Sequence, residues 1–229
     1  MLKTFNYLDH DHFLTTLKRE EHNGKRYYVT PNGKKLPSVT TFLSHFKGDS
    51  LAKWRKKVGE AEANLISARA SRRGTKFHSL MESYLGNEDE QDYLNEDVMP
   101  DMKVAFRHML PTLDRIDNIH YVEAMLYSET ILGLAGQVDC IAEFDGVTSI
   151  IDFKTSTKLK QEDWILSYFE QCTCYSLMYE EMTGIQAKQI VVLISVDHEL
   201  HPQIFVKNRK DYIPELARKV VSFRDEFNL

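Results

Sequence analysis

The sequence is poor in cysteine, and this scarcity argues against two kinds of protein. Its only cysteines are Cys140, Cys172 and Cys174. An odd count, with no signal peptide, does not suit a secreted protein held by disulfides. We therefore expect reduced thiols and a cytoplasmic location, the host cytoplasm if a phage encodes the chain. Three thiolates are too few for the four ligands of an iron–sulfur cluster, so we expect no such cluster. Cys140 is expected in buried packing.

Positive charge and long apolar runs are also scarce. The 29 lysines and arginines are outnumbered by 34 aspartates and glutamates, giving a net charge of −5. This balance argues against a protein that coats duplex DNA by bulk electrostatics, but it is compatible with binding through a local positive surface. No apolar run approaches the length of a membrane span, so we expect no membrane association. The 229 residues, 42% hydrophobic and 28% charged, are typical of a globular protein with a sizeable core.

Two acids and a lysine in the middle of the chain form the most informative pattern. Asp139 lies in one apolar segment, an Asp145-Gly146 turn follows, and Asp152 and Lys154 lie in the next apolar segment. Asp-Gly between two such segments predicts a β-hairpin. Because side chains alternate along a strand, Asp152 and Lys154 share one face and their apolar neighbours take the other. Charged groups in apolar strands are costly, which favours a functional site.

These residue types suit metal-assisted hydrolysis of a phosphodiester. Two carboxylates can hold Mg²⁺ or Mn²⁺, and the metal lowers the pKa of a bound water and neutralises phosphate charge. A lysine can orient the water or stabilise the anionic transition state. The alternative is an ordinary Asp–Lys pair on the surface of a half-exposed hairpin. The Asp152–Lys154 spacing alone does not decide between the two.

Further motifs occur in order along the chain. They are Gly74-Thr-Lys-Phe-His78 with Glu82, Glu123 within residues 121–127, Asp139, Asp152-Phe-Lys154, and Gln171-Cys-Thr-Cys-Tyr175. The ordered set resembles a PD-(D/E)xK nuclease of the RecB-like exonuclease group. Upstream, Leu36-Pro-Ser38-Val-Thr40 and Leu51-Ala-Lys-Trp54-Arg55 resemble the mitochondrial genome maintenance exonuclease family and its phage relatives.

The resemblance implies a fold, a reaction and a set of site residues. The fold is α/β, a restriction-endonuclease-like PD-(D/E)xK core with a central mixed sheet flanked by helices and an N-terminal helical part. The reaction is that of a Mg²⁺- or Mn²⁺-dependent deoxyribonuclease. The implied catalytic residues are Lys154, Asp152, Asp139, Glu123 and Gln171. The implied metal ligands are His78, Asp139 and Asp152.

Two of these residues also have a structural alternative. His78 on an amphipathic helix could be a core or surface histidine, and only the resemblance favours metal ligation. Glu123 is expected on the same strand face as Tyr121 and Met125. It is either a third carboxylate of the site or an exposed strand acid.

Helix and strand positions near the site leave similar choices open. Gln171 and Tyr175 share a helix face, where Gln171 can bind a phosphate and Tyr175 can stack on a base or pack in the core. The hydroxyl groups of Thr155 and Ser156 can bind a phosphate or cap the strand end.

Basic residues of the helical part predict a path for a single strand. Basic side chains interleaved with an aromatic suit phosphate pairing and base stacking. The alternative is a solvated helix face with Trp54 in the core. The expected nucleic-acid-binding residues are Ser38, Thr40, Trp54, Arg55, Arg72, Arg73, Lys76, Thr155, Ser156 and Tyr175.

The chain is predicted to have two parts. Residues 1–116 form a hairpin and helices that flank the active cleft, and residues 117–229 form the nuclease core. In the first part, a hairpin turns near Gly33, Ser38 caps a helix, and Pro111 ends or kinks the last helix. In the second part, three strands over 119–156 precede a helix over 161–183 that ends near Gly184. Strands at 190–196 and 204–206 and a helix over 212–227 follow.

We therefore expect a monomeric exonuclease acting on single-stranded DNA or free ends. Its expected partners are DNA and replication or recombination proteins. The alternatives are a structure-specific endonuclease and a non-catalytic nucleic-acid-binding module.

Overall fold

A computed structural model of the chain describes residues 2–9 and 16–227, without the side chains of Ser50 and Phe227. The strands are β1 (Lys18–His22), β2 (Lys25–Val29), β3 (Lys35–Pro37), β4 (Ile116–Ser128), β5 (Leu134–Phe144), β6 (Val147–Ser156), β7 (Gln189–Val196) and β8 (Gln203–Asn208). The helices are α1 (Val39–His45), α2 (Ser50–Val58), α3 (Glu60–Leu85), α4 (Glu90–Tyr93), α5 (Pro100–Leu113), α6 (Leu166–Thr183) and α7 (Ile213–Phe227). Short 3₁₀ turns cover Glu162–Trp164 and Arg209–Asp211.

The centre of the fold is a mixed sheet of five strands in the order β4-β5-β6-β7-β8. Its strands are antiparallel except for β6 and β7, which pair in parallel. The apolar sequence of β7 is buried along nearly its whole length, as expected for a strand covered on both faces. Helices cover both faces of the sheet, and this confirms the predicted α/β fold class.

Two clusters of buried side chains hold the helices against the sheet. On one face, Phe42 of α1 and Phe169 of α6 pack in a cluster with Ile150 of β6. On the other face, Phe77 of α3 and Phe106 of α5 pack in a second cluster that also contains Ile151 and Cys140. Cys140 is fully buried, as predicted.

Long helix α3 has an exposed beginning and a buried end. Between Glu60 and Lys76 only Ala63 is buried, whereas Phe77, Leu80, Met81, Tyr84 and Leu85 are buried near its end. This packing brings His78, beside Phe77, to the sheet. Within the described residues, no helix combines the length and apolar character needed to cross a membrane.

The predicted hairpins are present. Asp145 and Gly146 both have positive φ, 52° and 76°, as a two-residue type I′ turn requires, and the strands pair from Phe144 and Val147 onward. Near the start of the chain, β2 and β3 form the expected hairpin around Gly33, and β1 adds a strand that the sequence did not predict.

A cap and a bridge join the small sheet to the large one. The Ser38 Oγ atom accepts from the Thr41 N–H at 3.0 Å and so caps α1, as predicted. Ser38 also bridges to Ala135 of β5. Tyr28 and Leu36 pack with Ala135 in a third buried cluster. The small sheet therefore stands against the strand that carries Asp139.

Two local predictions were wrong, and a third is tested only in part. Pro111 does not end α5, which continues to Leu113, and the predicted alternative of a kink at Pro111 stays a prediction. The expected helix from residue 161 begins with a 3₁₀ turn, and α6 starts at Leu166. In β4, Glu123 was predicted to share a strand face with Tyr121 and Met125. Tyr121 instead packs on the same cluster as Ala124, because Glu123 has a left-handed backbone with φ of 52° that interrupts the alternation of side chains along the strand. By contrast, the αL residue Gly184 ends α6 as predicted.

Candidate active site

Asp139 and Asp152 lie side by side on neighbouring strands. The register of β5 and β6 pairs Cys140 with Ile151, so the next residues along the two strands are Asp139 and Asp152. The Phe153 N–H donates to Asp139 Oδ2 at 2.8 Å. This hydrogen bond holds the Asp139 carboxylate against the backbone of β6, next to Asp152.

Helix α3 brings an imidazole to the same carboxylate. His78 Nδ1 lies 3.5 Å from Asp139 Oδ1, and the His78 side chain is 31% exposed. His78 is therefore a site residue in geometry, and it belongs neither to the core nor to an open surface.

A second carboxylate completes the closest group of metal donors. His78, Glu123 and Asp139 each offer one ligand atom, and these atoms all lie within 4.8 Å of one another. The left-handed backbone at Glu123 turns it out of the ordinary strand alternation. The predicted ligand set contained Asp152 in its place. The structure favours the interpretation of Glu123 as a third carboxylate of the site.

Asp152 lies next to Asp139 across the two strands and is 2% exposed. Its Oδ1 atom accepts from Lys154 Nζ at 2.5 Å, while its buried Oδ2 atom has no hydrogen-bond partner among the described residues. A buried carboxylate oxygen without a donor is unfavourable unless a cation satisfies it. Carboxylates and an imidazole form a donor set that suits Mg²⁺ or Mn²⁺, so these residues fit a hard divalent ion.

The crowded acids shift one another's pKa values. Burial and the charge of Asp139 raise the pKa of Glu123 to about 7. Burial, with the same neighbouring charge, also raises the pKa of Asp152 to about 6, although Lys154 opposes the shift. For Asp139, burial opposes ionisation, but His78 and Lys154 outweigh it and lower the pKa. Without a cation, Asp139 is the carboxylate most readily ionised, and a bound cation would favour ionisation of all three.

The same acids raise the pKa values of the two basic groups of the site. Burial opposes protonation of His78, but the hydrogen bond and charge of Asp139 outweigh it and raise the pKa. Burial likewise opposes the charge on Lys154, but Asp152 and Asp139 outweigh it and raise the pKa of the lysine. The Lys154 Nζ atom also lies 5.3 Å from the ring centroid of Tyr168.

These residues line a cleft with a cavity volume of about 460 Å³. The small sheet, the start of α1, the end of α3, and strands β4, β5 and β6 all contribute to its walls. The predicted site residues that line it are Ser38, Thr40, His78, Glu123, Asp139, Lys154, Gln171 and Tyr175.

Tyr175 serves both the core and the cleft. Its side chain is 3% exposed, and Gln171 Nε2 lies 3.5 Å from its Oη atom. A Cβ atom added at Gly136 would lie 2.7 Å from Tyr175 Cε1. The glycine upstream of Asp139 therefore gives the tyrosine ring room to approach the strand.

The predicted basic residues of the helical part do not line the cleft. Arg55 Nη2 pairs with Glu60 Oε2 at 2.5 Å, and Arg73 forms an ion pair with Asp197. The remaining members lie on α2 and α3 away from the cleft lining, with Trp54 half-buried and Arg72 and Lys76 exposed. A role for these five residues in DNA binding stays a prediction.

The residues after Lys154 are also placed outside the cleft lining. Ser156 Oγ donates to the Lys158 carbonyl at 2.6 Å and accepts from the Lys158 N–H at 3.2 Å, so it caps the strand end. Thr155 is half-buried on β6. For Ser156 the geometry favours the structural alternative over phosphate binding.

Sequence reasoning missed the contribution of the small sheet to the cleft. Arg19, Arg26 and Tyr28 line it together with the acids. Strand β1 reads Lys-Arg-Glu-Glu-His and has no apolar alternation that would have predicted a strand. Only pairing with β2 brings Arg19 level with Tyr28.

Comparison with known proteins identifies the family. The family model of the PD-(D/E)XK nuclease superfamily matches residues 49–226, well over half of the chain. The chain belongs to the PD-(D/E)XK nuclease superfamily. The match covers α2 to α7 and includes His78, Glu123, the two aspartates and Lys154. Nucleases of this superfamily use divalent metals, which agrees with the donor set described above.

A more specific similarity covers part of the chain. Mitochondrial genome maintenance exonuclease 1 of Homo sapiens is 26% identical over 134 residues, which are 55% of this chain and 38% of that protein. The solved structure of SSO0001 is 14% identical and covers 82% of this chain and 75% of that chain at a TM-score of 0.44, a likeness too low to add to the assignment. The similarity to the human protein confirms that the predicted resemblance extends to an exonuclease.

Proposed function

We propose that this nuclease is a Mg²⁺- or Mn²⁺-dependent exodeoxyribonuclease that hydrolyses phosphodiester bonds in single-stranded DNA or at free ends. The observation that carries the proposal is the donor group of His78, Glu123 and Asp139, with ligand atoms within 4.8 Å of one another. Beside it lies the ion pair of the buried Asp152 with the half-buried Lys154.

The chain supplies a place for the ion and a means of holding it. His78, Glu123 and Asp139 would hold the ion, and the unpartnered Asp152 Oδ2 atom offers a further oxygen. A bound divalent ion supplies an activated water and neutralises charge on the phosphate. The Phe153 N–H fixes Asp139, so the ligand on β5 is oriented before any ion binds.

Lys154 and Gln171 are the groups that would act on the phosphate. Lys154 is held by Asp152 at 2.5 Å and lines the cleft with its charge intact, so it can donate to a phosphate oxygen and stabilise the negative charge that develops there. The Gln171 amide lines the same cleft and can donate to a neighbouring phosphate oxygen. Asp152 then has two roles, orienting Lys154 and facing the ion.

The preference for exonucleolytic cleavage of single strands is supported by similarity and shape. The human relative is named an exonuclease. The small sheet and α3 both contribute to the walls of the cleft, and a cavity of about 460 Å³ suits one strand more readily than a duplex. The net charge of −5 also favours a local substrate path over broad binding to duplex DNA. The cytoplasmic location and the monomeric state stay predictions.

An assay with defined substrates tests the proposal. Single-stranded DNA labelled at the 5′ or the 3′ end is incubated with Mg²⁺, with Mn²⁺ and with chelator, beside a closed single-stranded circle and a duplex. We expect cleavage of the linear strand that requires a metal, and resistance of the circle. Equal cleavage of circle and linear strand would favour a structure-specific endonuclease. Binding without cleavage of any substrate would favour a non-catalytic module.

A further inference from the structure

Two arginines on the small sheet line the same cleft as the acids. Arg19 on β1 and Arg26 on β2 line the cleft together with His78, Asp139 and Lys154. The register pairs Arg19 with Tyr28, and Arg26 lies two positions before Tyr28, so all three side chains are on one face of the small sheet. Tyr28 is 2% exposed and packs against Ala135, which orients this face towards the cleft.

The backbone of Arg26 is firmly held. The Ser38 N–H donates to the Arg26 carbonyl at 2.9 Å, and the Thr41 hydroxyl donates to the same carbonyl at 3.1 Å. The Arg26 N–H in turn donates to Thr41 Oγ1 at 3.1 Å. The arginine therefore projects from a fixed point at the junction of the small sheet and α1.

Neither guanidinium has an acidic partner within 4.0 Å among the described residues. Glu21 lies opposite Arg26 in the register, yet no ion pair joins them. The other face of the same sheet differs, because Glu20 pairs there with Lys18 at 3.0 Å and with Lys35 at 3.2 Å. Guanidiniums without an acidic partner on one face, and lysines that share the Glu20 carboxylate on the other, indicate that the cleft face is prepared for an anion.

We propose that Arg19 and Arg26 are positioning residues that bind backbone phosphates of a single DNA strand next to the phosphate at the metal site. The inference rests on the proposed nuclease function. The acids that line the cleft repel phosphates except at a bound cation, so a polyanionic strand would be drawn to the arginines next to the scissile phosphate. Bidentate pairing of guanidinium with phosphate fixes the register of the strand without reading its bases.

A charge-removal experiment on the full chain tests this role. Binding of a fluorescein-labelled 12-residue thymidylate oligonucleotide is measured in chelator, from 50 to 200 mM salt, for the wild type and for Arg19→Gln/Arg26→Gln. Loss of two phosphate contacts should lower the slope of log K against log salt by roughly 1.4, from about 0.7 per contact on a single strand. Over this fourfold rise in salt, the wild type should then lose about 7-fold more affinity than the variant.

Lys18→Gln/Lys35→Gln is the matched control, since it removes the same charge from the opposite face of the same sheet. We expect its salt slope to equal that of the wild type. An equal reduction of the salt slope in both double variants, or an unchanged salt slope in Arg19→Gln/Arg26→Gln, would overturn the inference. Circular dichroism verifies folding, and Arg19→Lys/Arg26→Lys should restore the slope if charge at these positions is what matters.

Substrate chemistry provides a second readout. A series of oligonucleotides carries one neutral methylphosphonate linkage each, at a different position in each oligonucleotide. At two of these positions the neutral linkage should weaken binding to the wild type. At the same two positions it should have no effect on binding to Arg19→Gln/Arg26→Gln. Failure of the wild type to cleave DNA with Mg²⁺ or Mn²⁺ would overturn the proposed function and is scored separately. A wild type that cleaves, with arginine variants that keep the full slope and the same two sensitive linkages, would overturn only the arginine assignment.

Discussion

Replacing Gly136 by alanine tests whether Tyr175 needs the space above β5. The added Cβ atom would lie 2.7 Å from Tyr175 Cε1 and 3.0 Å from Oη. The ring would have to withdraw by about 0.8 Å to reach the ~3.5 Å of an ordinary carbon–carbon contact. Since Tyr175 is 3% exposed and packed in the core, the surrounding residues resist that movement. We expect Gly136→Ala to lower the free energy of unfolding by about 1–3 kcal/mol, the usual cost of overpacking.

Urea unfolding measures this cost as a lower midpoint at an unchanged m-value. Gly74→Ala is the control, because an added Cβ there meets no atom within 4 Å and the position is inside α3. Alanine should stabilise that position by roughly 0.5–1 kcal/mol. In a Tyr175→Leu background, which lacks the Cε1 and Oη atoms, Gly136→Ala should cost little. An unchanged midpoint in the single variant, or an undiminished cost in the Tyr175→Leu background, would refute the reasoning.

Three further predictions concern the site. Asp152→Ala and Lys154→Ala should each abolish cleavage in a folded protein, but only Asp152→Ala should weaken Mn²⁺ binding by calorimetry; near-wild-type digestion by either would contradict the assignment. His78→Ala should lower Mn²⁺ affinity by about 10- to 100-fold if the imidazole ligates or orients a ligand, and an unchanged affinity would remove it from the site. The pKa of Glu123 is raised from 4.5 to about 7, so the folded state retains a proton that the unfolded chain has released, and stability should fall as the pH rises through this window. His78, whose pKa is also raised, contributes a fall of the same sign. In chelator, Glu123→Gln should flatten the fall in melting temperature between about pH 5 and about pH 7.5, and an unaltered fall would exclude Glu123 as a cause.

The catalytic hairpin could be predicted from the sequence because its signals are local. The Asp-Gly turn sets the register of β5 and β6, and the two-residue period then places Asp152 and Lys154 on one face. The presence of His78 in the site depended on the resemblance, since nothing local links α3 to the hairpin, and its approach results from the packing of Phe77. Glu123 lies on β4, which pairs with β5 across a short connection, but the sequence left open whether its side chain belongs to the site.

The remaining errors have physical causes that a sequence does not display. Pro111 lies inside α5 because tertiary packing of its flanking residues overrides the loss of one helical hydrogen bond. Residues other than glycine seldom adopt the left-handed backbone conformation found at Glu123. The parts of β4 on either side of Glu123 maintain it. Arg19 lies in a strand with no apolar pattern. The prediction that Asp152 is a direct ligand stays a prediction, since its Oδ1 atom accepts from Lys154 and its Oδ2 atom has no partner among the described residues.

The parallel pairing of β6 with β7 has a consequence for the order in which the enzyme matures during synthesis. Strands β4, β5 and β6 follow one another through short turns, so they can associate as soon as they leave the ribosome. Strand β7 arrives only after the whole of α6, and closing that crossover is slow compared with closing a hairpin. Until it pairs, β6 remains an open edge, although α6 can already pack on β4, β5 and β6. The proposed ligands on α3, β4 and β5 are thus synthesised before β7 completes the sheet around them.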